Sequence, residues 1–171
     1  MKNSAIHCGV LRNMSSVYIR RNDQLLLLYR QGNSIVNNLW IGSAGGHFEK
    51  EELNDAKACV LRELFEELAL TEADICNLSL RYITLRYTGD EIRYNYYFFA
   101  DLSNDSIPTP NSNEGNTQWF SIHTIKDLPM PITAQHMLEH YLKFGQYNSN
   151  LYVGISDTVK TEFLILKNRH S

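Results

Sequence analysis

Three things are scarce in this chain, and each scarcity removes a class of protein. No stretch approaches ~18 consecutive apolar residues, so no transmembrane helix is predicted. The opening residues "MKNSAIHCGVLRNMSS" also lack the apolar run of a secretory signal. Cysteine is sparse: Cys8, Cys59 and Cys76 make an odd count without CxxC spacing. That excludes a disulfide framework and a zinc ribbon and points to a reducing compartment, so a cytoplasmic protein away from membranes is expected. An excess of one charge is missing too. The formal net charge is -3, which leaves no basic footprint for nucleic acid, whereas a small anionic ligand needs only local positive charge. A length of 171 residues, of which 43% are hydrophobic, suits one domain spanning 1–171 with a single core region.

What is present reads as alternating strands and helices, without repeats or low-complexity blocks. "SSVYIRR" and "LLLLYRQ" are β-type runs around the turn "NDQ", and "GNSIVNN" is a polar loop leading to Trp40. Asn54 or Asp55 can cap a helix that runs to about Leu68. "LRYITLRY" and "EIRYNYYFFADL" flank a Gly89-Asp90 turn of type II′, which pairs Tyr87 with Ile92 and Arg86 with Arg93. That register gathers Arg81, Ile83, Leu85 and Tyr87 with Ile92, Tyr94, Tyr96 and Phe98 on what is expected to be the core face. The turn-rich "NDSIPTPNSNEGN" precedes the strand "TQWFSI", and Thr133 can cap a second helix ending at Gly145. Two short strands, in "NLYVGI" and "EFLILK", are expected in the extension 146–171 beyond a core at about 16–145.

The first helix carries the chemistry. At ~100° per residue Glu63, Glu66 and Glu67 fall on one face, and Leu61, Leu64, Phe65 and Leu68 gather opposite. Like charges so placed repel, and a divalent cation would relieve them; carboxylates are hard oxygen ligands suited to Mg²⁺ or Mn²⁺. A solvated acidic face is the plain alternative. The glycines Gly45 and Gly46 lie upstream, where the lack of a Cβ lets backbone approach a ligand closely.

Gly46, Glu52 and "RELFEE" at 62–67 together resemble the Nudix box: Gly, five residues, Glu, seven residues, then Arg-Glu-apolar-x-Glu-Glu-x-Gly-apolar. Two departures stand out. Nine residues instead of seven separate Glu52 from Arg62, which puts their contact in doubt, and Ala69 replaces the terminal glycine. The resemblance implies an α/β class protein with the Nudix fold, an α/β/α sandwich around a mixed β-sheet. It implies Mg²⁺- or Mn²⁺-dependent hydrolysis of a nucleoside diphosphate linked to another group. Carried onto matching positions, Glu63, Glu66, Glu67 and the Gly45 carbonyl are metal ligands, and Arg62 orients a helix glutamate. Glu66 is the first choice of general base and Glu114, five residues before Trp119, the second.

For substrate contacts the sequence offers Arg86 and Arg93, a like-charge cross-strand pair that an anion would reconcile. It also offers His47 beside the glycines, and Tyr82 and Tyr97, which either stack a base or pack in the core. The substrate reading is a MutT-like nucleoside triphosphate pyrophosphohydrolase, oxidised purine nucleotides included. Dinucleoside polyphosphates and ADP-ribose or nucleotide sugars are the alternatives, and a non-catalytic nucleotide-sensing module is the rival class. Partners are expected to be a small-molecule nucleotide, with a monomer or homodimer as the assembly. "HMLEH" at 136–140 matches a zinc-protease pattern, but no further helix follows to supply a third ligand, and an amphipathic helix accounts for it better.

Overall fold

The apolar runs around "NDQ" form β1 (Val10–Arg21) and β2 (Gln24–Arg30), joined by a two-residue turn in which Asn22 takes a left-handed φ of 53°. The structure is a computed structural model and describes residues 10–31 and 38–167. The expected loop "GNSIVNN" lies almost wholly outside the described residues. The chain continues through β3 (Leu39–Ile41) and β4 (Ala44–His47) to α1 (Ala56–Leu68), which Asp55 caps by accepting the Ala58 N–H. The long hairpin β5 (Ile75–Tyr87) and β6 (Glu91–Leu102) follows, then β7 (Gly115–Ser121) and α2 (Ile132–Lys143), and finally β8 (Tyr152–Ser156) and β9 (Thr161–Ile165).

One mixed sheet holds every strand, in the order β3-β2-β1-β6-β5-β8-β9, with β4 on β1 and β7 on β2. Because β6 runs parallel to β1 along Val10–Arg20, β4 and β2 must share the other edge of β1. Met14–Val17 pair with β4 and Ile19–Arg21 with β2. At the changeover the buried Ser43 hydroxyl donates to the Leu26 carbonyl at 2.6 Å and accepts the Ile19 N–H at 2.8 Å. Two backbone groups that lose their ladder partners are thereby satisfied.

The sheet is covered on both sides, which makes the α/β/α sandwich. Val60, Leu64 and Leu68 of α1 pack with Val17, Ile19 and Phe98 on one face. Met137, Leu138 and Tyr141 of α2 pack with Tyr18, Tyr97 and Phe99 on the other.

Four local expectations change. Arg86 does pair with Arg93 and Tyr87 with Ile92, and Gly89 has φ 92°. A register shift between Leu80 and Tyr82, however, breaks the alternation at Arg81. Tyr82, Thr84 and Tyr97 are the deeply buried row, while Tyr87 is 57% exposed, because α2 and the tail cover that face and α1 sits over β1 and β4 instead. Phe65, placed with the apolar stripe of α1, is 60% exposed. Thr133 lies inside α2; Pro131, with no N–H to place inside a helix, takes the cap position.

In the tail, β8 joins β5 in parallel and β9 closes the hairpin. The buried Arg81 guanidinium donates to the carbonyls of Gly145, Asn148 and Asn150 and so fixes the loop that brings β8 in.

The αL site at the end of α1 is real. Ala69 has φ 53° and ψ 28°, and its N–H bonds the Leu64 and Phe65 carbonyls. A left-handed alanine costs about 1–2 kcal/mol, against which glycine loses part through the freedom it adds to the unfolded chain. Ala69→Gly is therefore expected to stabilise the protein by about 0.5–1 kcal/mol. An unchanged or lower midpoint in urea denaturation would count against that reading.

Candidate active site

The glycine pair explains how a helix face crowded with glutamate can be buried. On Gly45 a Cβ would meet the Ser15 carbonyl oxygen at 2.3 Å, so β4 could not lie against β1. On Gly46 it would meet Glu63 Oε1 at 2.2 Å. The two glycines thus let α1 press its acidic face onto β4, the opposite of an acidic side turned to water.

Each glutamate meets a different environment there. Glu67 is only 4% exposed; it accepts the Gly45 N–H at 2.9 Å and lies 4.0 Å from the Arg30 guanidinium. Burial pushes its carboxyl up to about 7; the Gly45 bond opposes this and the Glu63 charge adds to it. Glu63 is also raised, first by burial, with Arg62 pulling the other way. Glu66, its side chain 54% exposed, is held at 2.9 Å by Arg62, which reaches Glu63 at the same distance.

Arg62 also resolves the doubt about the longer loop. Its Nε donates to Glu52 Oε1 at 2.7 Å and its Nη2 to Glu52 Oε2 at 3.0 Å, a bidentate pair. The two extra residues are absorbed by a 3-10 turn at Lys50–Glu52 and the bend before Asp55, where Glu52 also accepts the Glu49 N–H. Hydrogen bonding to Arg62 holds the Glu52 carboxyl down at about 2.

Across from the helix, Glu114 forms an ion pair with Arg30. Sequence reasoning named Glu114 and missed Arg30. No local pattern marks this arginine; it joins the site because β2 and β7 place Arg30 opposite Gly115. Arg30, Glu63, Glu67, Glu114 and His47 line one open basin of about 450 Å³. Burial, then Arg12 and Arg93, push the His47 imidazole below its ordinary value.

A second cavity, of about 150 Å³, adjoins the basin on the α2 side of the sheet and shares Met14, Arg30 and Gly45 with it. Tyr18, Tyr97 and Asn95 are in its wall, and Arg86 and Arg93 line it too. Tyr82 is not brought there. It is fully buried, stacks on Tyr152 and shares a 2.9 Å hydrogen bond with His140 Nδ1, which makes it a packing residue. His136 is tied separately to Thr161, so the two histidines of "HMLEH" hold the tail hairpin against α2.

The profile of the NUDIX domain matches residues 11–141. The chain belongs to the Nudix family. It is a hydrolase of that family, and its structural neighbours include proteins named MutT. The mutator MutT protein from Bacillus halodurans is 20% identical, with a TM-score of 0.67 over 89% of this chain and 97% of that one. An Ap4A hydrolase from C. elegans, solved as a binary complex, gives 14% and 0.61 over 81% and 99%. The Nudix domain of Shewanella oneidensis NrtR, complexed with ADP ribose, gives 15% and 0.58 over 86% and 94%. No curated protein matches the chain. Among the described residues no helix is long and apolar enough to cross a membrane.

Nudix hydrolases generally use divalent metal ions, and the donor set here fits one. Glu63 and Glu67 are packed close together in a poorly hydrated place, with Glu66 one turn away, and the Gly46 position leaves room for the Glu63 carboxylate. Among the described residues no three metal-binding side chains yet converge on one point: Arg62 spans Glu63 and Glu66, and Glu67 faces the Gly45 amide.

Proposed function

We propose that this Nudix hydrolase cleaves the pyrophosphate bond of a nucleoside diphosphate derivative with Mg²⁺ or Mn²⁺. The observation that carries the reading is the adjacency of the two cavities. A basin of carboxylates shares Arg30, Met14 and Gly45 in its wall with a cavity walled by aromatic and amide side chains. Together they fall in the range of about 300–1,000 Å³ usual for small-molecule sites.

Glu63, Glu66 and Glu67 would hold the metal, and the Gly45 carbonyl is a further candidate ligand. When bound, it would neutralise charge on the non-bridging oxygens and polarise the attacking water. Arg30, beside Glu67 and Glu114, is placed to meet the anionic end of the substrate. Arg62 keeps Glu63 and Glu66 in position. Glu66 is the most exposed of the three helix acids and takes the proton from water. Glu114, already engaged by Arg30, serves to position Arg30 and stands second as the base. Asn95 would meet the nucleoside, with the buried Tyr18 and Tyr97 forming the wall behind it.

The first substrates to test are nucleoside triphosphates, oxidised purines included, the class that the MutT-like resemblance of the sequence implies. Ap4A and ADP-ribose, named with two other neighbours, are the alternatives. A panel with Mg²⁺ should show metal-dependent release of pyrophosphate, phosphate or mononucleotide. Tight binding without turnover on every member would replace the hydrolase reading by a sensor reading. Glu66→Gln is expected to lower kcat by about 10²-fold or more and Glu114→Gln by less. The reverse order would transfer the base role to Glu114.

A further inference from the structure

Three arginines stand abreast across the sheet, at the end of the cavity away from the carboxylates. The register sets Arg12 of β1 beside Arg93 of β6, and Arg93 beside Arg86 of β5. Neighbouring strands are about 4.8 Å apart, so this row places three like charges next to one another. Like charges directly opposite one another in a sheet are destabilising.

A single acid answers them. Glu91 accepts from Arg93 Nε at 2.7 Å and pairs with Arg12 at 3.0 Å. Arg86 has no ion pair among the described residues. The residues outside that description contain neither aspartate nor glutamate, so the chain has no further acidic side chain to offer it. One carboxylate against three guanidinium groups leaves the row with two net positive charges, and Arg86, which is unpaired among the described residues, and Arg93 line the cavity. The first turn of α2, with Thr133 and Ala134, closes the cavity from above, and a helix N-terminus adds to the positive potential.

The row also lies at a defined distance from the catalytic end. Gly45 faces Ser16 on β1, and Arg12 is four residues further along that strand, a separation of about 13 Å. The arginine row therefore stands apart from the carboxylate basin, where Arg30 is already engaged by Glu114.

We infer that the arginine row is a subsite for a second anionic group, a phosphate or carboxylate, on the part of the substrate remote from the scissile pyrophosphate. This rests on the pyrophosphohydrolase reading and narrows it. The enzyme selects nucleoside diphosphate derivatives that carry a terminal anion over those that end in a neutral sugar or base.

The test compares ADP-ribose with its 1″-phosphate, in the wild type and in Arg86→Gln and Arg93→Gln. Glutamine keeps part of the side chain's length and can still hydrogen-bond, and circular dichroism checks that each variant is folded. The wild type is expected to favour the phosphorylated substrate by about tenfold or more in kcat/KM, mainly through KM. In either variant that ratio falls toward one. Separately, inorganic phosphate titrated calorimetrically into metal-free protein is expected to bind the wild type and to bind Arg86→Gln at least about fivefold more weakly.

Turnover of both substrates with a wild-type ratio near one overturns the subsite and leaves the hydrolase reading standing. If free phosphate nevertheless binds, the row serves a free anion and the substrate inference fails. If neither substrate is hydrolysed, the ADP-ribose alternative has failed; if no nucleoside triphosphate is turned over either, the hydrolase reading fails with it. The titration then decides alone: binding weakened by Arg86→Gln sustains an anion site, and absence of binding removes it.

Discussion

Replacing Glu67 by glutamine is expected to abolish metal-dependent turnover and, in the same protein, to stabilise the metal-free fold at pH 8. Both outcomes come from one fact: this carboxyl is almost wholly buried beside Glu63 and is pushed up to about 7. Glutamine has nearly the same shape and keeps an oxygen for the Gly45 N–H, so the hydrogen bond at 2.9 Å survives while the charge does not. The loss of a metal-binding carboxylate should lower kcat by about 10³-fold.

The sign of the stability effect follows from proton linkage. Glu67 titrates near 7 in the folded chain and near 4.5 when unfolded, so between those values the native state binds more protons. Metal-free stability must fall as pH rises through that window and stay low above it. The penalty at pH 8 is on the order of 3 kcal/mol, and Glu67→Gln should recover much of it. Urea denaturation in a chelator at pH 5 and pH 8 reads this directly. A variant with the wild-type pH dependence would show that Glu67 is not the strained group, and a variant with full activity would remove it from the metal site.

The parts of this site that a sequence displays are those set by local periodicity. "RELFEE" lies on one helix, and spacings of three and four residues bring its acids together wherever the helix docks. The two-residue Gly89-Asp90 turn fixes the register of β5 and β6 near the turn, so Arg86 opposite Arg93 was legible too. What periodicity does not encode is which face of α1 a distant strand covers. Glu63 and Glu67 look like solvated acids until β4, whose glycines permit the approach, is laid against them.

Arg30 and Arg12 were missed for a related reason. Each enters the site through strand pairing, Arg30 with β7 some 85 residues later and Arg12 with the parallel strand β6. Nothing in "LLLLYRQ" distinguishes Arg30 from a solvent-facing residue at a strand end. The reading of Thr133 as a cap failed by a local rule instead: Pro131, two residues earlier, already fits a helix start. The bulge at Arg81 is a third kind of omission, since an irregularity in pairing leaves no mark in an alternating pattern.

Removing the Arg62 side chain is expected to cost about 3 kcal/mol of stability and most of the activity. The two extra residues before it do not free Glu52 to face water. Glu52 is buried, and the Arg62 fork satisfies both of its oxygens. Arg62→Ala leaves that carboxylate without its cation in a poorly hydrated place, where one half of a broken pair costs more than the pair contributed. Lysine should rescue little, because one ammonium cannot meet Glu52 with two parallel bonds while also reaching Glu63, Glu66 and the His47 carbonyl.

A double-mutant cycle with Glu52→Gln separates the two roles of Arg62. The stability cost of Arg62→Ala should shrink by more than 1 kcal/mol when Glu52 is already glutamine, since the orphaned charge is gone. The activity cost should not shrink in step, because Glu63 and Glu66 still lose the guanidinium that aligns them. Acid unfolding gives an independent check on the same pair. A carboxyl held down at about 2 contributes stability above its unfolded value near 4.5 and loses it as pH falls toward 2. That acid-side loss should be smaller in Arg62→Ala than in the wild type. Equal stability costs in both backgrounds would mean that Glu52 and Arg62 do not act as a pair, and the longer loop would then have uncoupled them after all.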